Sequence, residues 1–240
     1  MRCLRRRAVV CSSRAFVAST AVMVATVEVV NWAGRQNPQL ISSRKLLHVA
    51  AGPVFLATWP WFTAEGKWWA ALVPLCMTLK FALVGLGLIR DDKAVATMSR
   101  TGDRREILRG PLIYGCVFVA ATVLAFRDLT AAVALAALCF GDAAAEVGGR
   151  RFGHVKLPWS PRKSYAGSAA FVVASLGAMT LFAVLFRRWG FAPPTSDLPL
   201  GAIGVAAIVG AVVESMPAAD VDNFFVPLVV AATFHWATPA

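Results

Sequence analysis

Residues 129–186, LTAAVALAALCFGDAAAEVGGRRFGHVKLPWSPRKSYAGSAAFVVASLGAMTLFAVLF, begin and end on apolar runs and are densely charged between them. Each flank approaches the length that crosses a bilayer as a helix, about 17 to 25 mostly apolar residues. Residues 141–168 between them carry Asp142 and Glu146, the bases Arg150, Arg151, Lys156, Arg162 and Lys163 with His154, and Gly141, Gly148, Gly149, Gly153 and Gly167. A segment that faced only lipid would not hold so many ionisable groups, because each is costly there.

Working outward, further apolar runs recur through the chain. They predict spans at residues 15–34, 46–62, 68–89, 111–126, 129–149, 166–186, 198–216 and 224–236. The last is short enough for a tilted or re-entrant segment, and Pro53 within the second is tolerable where neighbours satisfy the freed carbonyl. Period-two alternation is absent and Ala and Leu dominate, which excludes a membrane β-barrel. The expected fold is therefore an all-α, polytopic bundle of seven or eight helices. At 58% hydrophobic and 15% charged residues, the 240-residue chain leaves no room for a separate soluble domain. Residues 28–240 read as one membrane domain.

The net charge of +11 is distributed by topology and does not suggest nucleic acid. Arg35, Arg44 and Lys45 follow the first span, Arg90, Lys93, Arg100, Arg104, Arg105 and Arg109 the third, and the bases of residues 150–163 the fifth. All three loops share one side, while the opposite loops hold only Lys67, Arg127, Arg187 and Arg188. By the positive-inside rule the basic side is cytosolic, or stromal in a plastid. Residues 1–27 lack Asp and Glu and are rich in Arg, with Ser12, Ser13, Ser19 and Thr20. This is transit-peptide composition; a basic N-terminal flank is the alternative. Cys3, Cys11, Cys76, Cys116 and Cys139 form no CxxC and read as packing residues.

Asp142 and Glu146 stand four residues apart, so on a helix they share one face, and Arg150 continues it. The pair suits a hard divalent cation, with a structural Glu146–Arg150 ion pair as the competing reading. Gly148, Gly149 and Gly153 permit close backbone approach, and Arg150, Arg151, Lys156, Arg162 and Lys163 supply charge-assisted donors, a chemistry matched to phosphate with Mg²⁺. Lys163 and Ser164 open the next helix, whose N-terminal amides favour anions. A second acidic group, Glu214, Asp220 and Asp222 with Asn223, follows the seventh span. Loop parity brings this group, residues 141–168 and the Arg44, Lys45 and His48 segment to one membrane face. Taken alone, His48 reads more readily as a packed, hydrogen-bonded residue than as a catalyst. Lys80, mid-span, must snorkel or pair with an acid that the sequence does not name.

Four blocks now stand in order: RKLLHVAAGPVF at residues 44–55, SRTGDRREILRGPLIYG at 99–115, the 141–168 segment and ESMPAADVDNFFVPL at 214–228. Together they resemble the phytol kinase and farnesol kinase family, polyprenol kinases related to dolichol kinase and more distantly to phosphatidate cytidylyltransferase. The family commonly begins the third block GDGxAD, whereas here Ala143 replaces the second glycine and Glu146 the second aspartate. The resemblance implies a CTP-dependent, Mg²⁺-requiring kinase of an isoprenoid alcohol, phytol before farnesol or geranylgeraniol, in a chloroplast membrane or else the endoplasmic reticulum. It assigns Asp142, Glu146 and Asp222 to metal or hydroxyl activation, and Arg150, Arg151 and Lys163 to phosphates. Gly153, Lys156, Ser164 and Asn223 fall in the nucleotide region; Arg44, Lys45, His48 and Glu214 are further site candidates. A phosphatidate cytidylyltransferase, although the chain lacks that family's DRxD pattern, and a non-enzymatic membrane transporter remain the competing classes.

Overall fold

The structure, a computed structural model, describes residues 2–36, 43–99, 101–192, 198–217 and 222–238, and side chains within them except at 2–9, 34–36, 43 and 222. It is all-α apart from one hairpin. In chain order the elements are α1 (Arg2–Gln36), α2 (Ser43–Thr58), α3 (Lys67–Leu86), α4 (Asp92–Met98), α5 (Gly110–Leu124), α6 (Leu129–Ala136), α7 (Asp142–Phe152), β1 (Lys156–Leu157), β2 (Ser160–Ser164), α8 (Tyr165–Arg188), α9 (Leu200–Glu214) and α10 (Asp222–Ala237). Among the described residues, five helical stretches are long and apolar enough to cross a membrane: Val10–Ala33, Lys67–Leu86, Arg104–Leu124, Leu129–Phe152 and Tyr165–Arg188. Helices α9 and α10 are apolar but shorter. The expected 46–62 span is a 16-residue helix, α2, ending in the tight turn Trp59–Trp61, where Pro60 removes a backbone donor.

The chain forms two compact units, residues 1–126 and 127–240. In the first, α1 packs on α2 and α3, and α3 on α5. Its core includes Val30, Leu47, Val84, Met98 and Ile107. Helix α3 stops at Gly87, whose φ of 80° places it in the left-handed region that glycine enters without strain, and Leu88 N–H closes back on Leu83 O. Asp91 then caps α4, accepting from the Ala94 N–H at 2.9 Å. Lys80, whose partner the sequence did not name, reaches this cap and pairs with Asp91 at 2.7 Å.

In the second unit one continuous apolar stretch, Leu129–Phe152, is the central element, and α8, α9 and α10 pack around it. Within it α6 and α7 are joined by a single π turn, Ala137–Gly141. The turn sits where packing demands it: a Cβ on Gly141 would lie 2.3 Å from Ser175 Oγ and 2.8 Å from the Phe171 ring of α8. Such turns change the angular register of whatever follows, and here Asp142 follows.

Candidate active site

The second unit gathers most of the expected site residues. Asp142 opens α7 and is buried; Glu146 is one turn on, with Arg150 Nη2 2.8 Å from its Oε1. The structural ion pair read from the sequence therefore exists. It is mostly exposed on the arginine side, so it contributes well under about 1 kcal/mol and yields readily to a stronger ligand. Arg150, Arg151, Lys156 and Arg162 are all exposed, a set of cations at the C-terminal end of α7 and on the hairpin.

Most of the glycines are places of close approach, as the sequence suggested, and the neighbours that approach them are parts of the fold itself. A Cβ on Gly148 would stand 2.7 Å from Ala170 Cβ, one on Gly167 3.0 Å from Ala145 O, and one on Gly153 2.0 Å from Gly149 O. They let α7 and α8 approach closely and let the chain turn out of α7, so helix packing explains them without a phosphate. Gly149 is the exception, since a Cβ there would meet only ordinary contacts, the nearest Ser164 Oγ at 3.4 Å.

The hairpin joins residues 141–168 to the second acidic segment. Lys163, at the end of β2, ion-pairs with Glu214, which is buried at the C-terminus of α9. Trp159, in the hairpin turn, donates from Nε1 to Ser215 Oγ at 3.2 Å, and Ser215 in turn donates to Val212 O. Ser164 is the N-cap of α8, its hydroxyl accepting from the Gly167 N–H at 3.2 Å. Asn223 is buried at the start of α10, which packs on α6 and the π turn. Asp220 and the Asp222 side chain lie outside the described residues. Among the described residues no three His, Cys, Asp or Glu side chains gather as a metal cluster. Asp142 and Glu146 are nevertheless hard oxygen donors on one face, and Mg²⁺ is typically held by one or two carboxylates with substrate phosphates and water completing its shell. The residues present fit that ion.

Arg44, Lys45 and His48 belong to the first unit, and all three are buried. The Arg44 guanidinium fills the place where Gly110 lacks a side chain: a Cβ there would sit 1.5 Å from Nη2. The His48 ring stacks on Tyr114, with centroids 3.9 Å apart and planes at 16°, and the Tyr114 hydroxyl donates to His48 O at 3.2 Å. The packed role expected of His48 is thus present. Tyr114 and Gly110 were legible only as members of the block at residues 99–115, since a tyrosine in an apolar run does not announce its partner. Glu106 organises the start of that block, accepting from the hydroxyls of Ser99 and Thr101, both at 2.9 Å.

The fold and site together define an all-α chain with membrane-length helices and a carboxylate and cation centre on the central helix of its second unit. No family model matches the chain, and no solved structure does. Curated relatives do. The chain is 39% identical over 191 residues to "Probable phytol kinase 2, chloroplastic" of Oryza sativa subsp. japonica, covering 78% of this chain and 62% of the relative. It is 37% identical over 184 residues to "Farnesol kinase, chloroplastic" of Arabidopsis thaliana, covering 75% and 60%. It is 35% identical over 209 residues to "Probable phytol kinase 1, chloroplastic" of Glycine max, covering 80% and 67%. This chain belongs to the phytol kinase and farnesol kinase family. It spans 60 to 67% of the length of these three relatives.

Proposed function

We propose that the protein is an isoprenoid alcohol kinase that uses CTP, with phytol as its first substrate and farnesol or geranylgeraniol behind it, in a chloroplast membrane. Phytol kinase and farnesol kinase relatives named as chloroplastic support the reaction class and the organelle. The observation that carries the reading to particular atoms is the buried Asp142 one turn from Glu146, with exposed Arg150 and Arg151 continuing the same helix.

Phosphoryl transfer asks a protein mainly for positioning and charge neutralisation. In this reading the alcohol oxygen forms a bond to the γ-phosphorus, the bond from that phosphorus to the β–γ bridging oxygen breaks, and CDP leaves with the electron pair. The hydroxyl proton passes to the Asp142 carboxylate. Asp142 and Glu146 would hold Mg²⁺, which would supply charge neutralisation at the phosphate oxygens. Arg150 exchanges its exposed contact with Glu146 for a phosphate, and Arg151 and Lys156 add donors beside it. Charge-assisted contacts of this kind are shorter and about twice as strong as neutral ones. Lys163 is anchored by Glu214 and fixes the hairpin at the mouth of α8. The test is purified protein with CTP, Mg²⁺ and each alcohol, reading prenyl phosphate and nucleotide product together. CDP with prenyl phosphate is expected; pyrophosphate released with phosphatidate would assign the chain to cytidylyl transfer.

A further inference from the structure

Two membrane-length stretches of the second unit, Leu129–Phe152 and Tyr165–Arg188, are joined only by residues 153–164, which carry the β1–β2 hairpin. Helix α7 packs on α8, so the first stretch ends beside the start of the second. Read as spans, the two place the hairpin where hydrocarbon gives way to headgroups. Its side chains are not those of an ordinary polar loop. Phe152 is 63% exposed, Val155 66%, Trp159 54% and Tyr165 50%. Single exposed apolar residues need no explanation, but a run of them interleaved with exposed Arg151, Lys156 and Arg162 does. Among the described residues neither Lys156 nor Arg162 pairs with an acid.

The fold holds these side chains outward. Leu157, Ser160 and Ser164 are the buried positions of the hairpin, and Lys163 ties it to Glu214 at the end of α9. Trp159 Nε1 donates to Ser215 Oγ at 3.2 Å, so its one polar atom is satisfied while half of its surface stays exposed. That division, a bonded indole N–H and a free apolar body, suits a membrane interface. The aromatic residues at the other end of α8 behave differently. There Trp189 and Phe191 close on Phe186, and the Arg127 guanidinium covers the Phe191 ring at 4.4 Å. Outward aromatic side chains with cations among them therefore belong to the hairpin end.

We propose that the hairpin is an interfacial anchor that recognises anionic lipid headgroups. Phe152, Val155 and Trp159 enter the headgroup region, and Arg162 meets the lipid anion. Charge selects the partner: apolar exposure alone would suit any lipid, whereas each Lys or Arg near an anionic surface favours it roughly fivefold. The proposal rests on reading the long stretches as spans and needs no phosphoryl transfer. Arg162 has no part in the nucleotide contacts proposed above.

The test reconstitutes the protein in equimolar phosphatidylcholine and phosphatidylglycerol, with bromine on the acyl chains of one lipid or of the other. Emission from Trp159 is the difference between native protein and Trp159→Phe. Brominated phosphatidylglycerol should quench it at least about threefold more than brominated phosphatidylcholine, and high salt should remove the preference. Arg162→Gln should reduce the preference and leave quenching itself in place; comparing its total emission with that of native protein serves if Trp159→Phe does not fold. Equal quenching by both lipids, or a preference abolished by CTP with Mg²⁺, would overturn headgroup recognition. Quenching by neither would overturn the anchor, and release of the protein from vesicles in alkaline carbonate would overturn the spans and the anchor together. The preference in a protein that phosphorylates no alcohol would support the anchor and overturn only the kinase reading.

Discussion

Two ion pairs carry opposite lessons about charge beside apolar helices. Glu214 is only 4% exposed, so removing Lys163 leaves a buried carboxylate without its cation. Lys163→Ala should lower stability in detergent by about 2 kcal/mol, and Lys163→Ala with Glu214→Gln should recover part of it, a coupling that a double-mutant cycle of melting temperatures would read. Independent, additive losses would mean that the pair does not hold the hairpin. At Asp91 the hydrogen bond from Lys80, then the Ala94 amide, holds the carboxyl below its ordinary value of 3.8. Since the folded state favours the ionised form, the stabilisation is complete above the ordinary value and is lost as pH falls through the lower, folded one. Asn can still cap α4, so Asp91→Asn should melt lower than the native protein at pH 7 and converge with it at strongly acidic pH. A gap that persists or widens in acid would contradict the assignment. Lys80 was legible as a residue needing a partner, but its partner was not, because the turn through Gly87 that brings Asp91 back has no signature beyond the glycine itself.

At the scale of elements, helix positions were legible because apolar length and composition are local properties. The run from Tyr165 to Arg188 differs from its sequence-based span by only a residue or two at each end. The π turn before Asp142 and the β1–β2 hairpin were not legible. The first arises from tertiary contact of Gly141 with Ser175 and Phe171, and the second from Lys163 and Trp159 finding α9 more than fifty residues later. The glycines of residues 141–168 were recognised as places of close approach, but what approaches most of them is another helix. This separates two neighbours. Gly148→Val should destabilise the protein by about 1 to 3 kcal/mol through overpacking against Ala170. Gly149→Ala should raise stability by about 0.5 to 1 kcal/mol through helix propensity. If Gly149 also admits a phosphate to the backbone, the same substitution will raise the KM for CTP while the melting temperature rises. Unchanged nucleotide affinity would leave Gly149 with no part in nucleotide binding.

For the whole molecule, the family was legible in four blocks that stand in order, and the relatives place the chain in that family. Of the residues singled out in the sequence, Asp142, Glu146 and Arg150 share one helix and Lys163 meets Glu214 from the hairpin, all within the second unit, while His48 is buried against Tyr114 within the first. The most direct test of the account follows the label from γ-³²P-CTP to phytol in single turnover, native protein beside Asp142→Asn. The account predicts labelled phytyl phosphate equal to the CDP formed, with the rate reduced by at least about 100-fold in the variant, the scale of a lost acid–base group. Native protein that labels no isoprenoid alcohol would contradict the reaction, and an Asp142→Asn enzyme as fast as native would contradict the site.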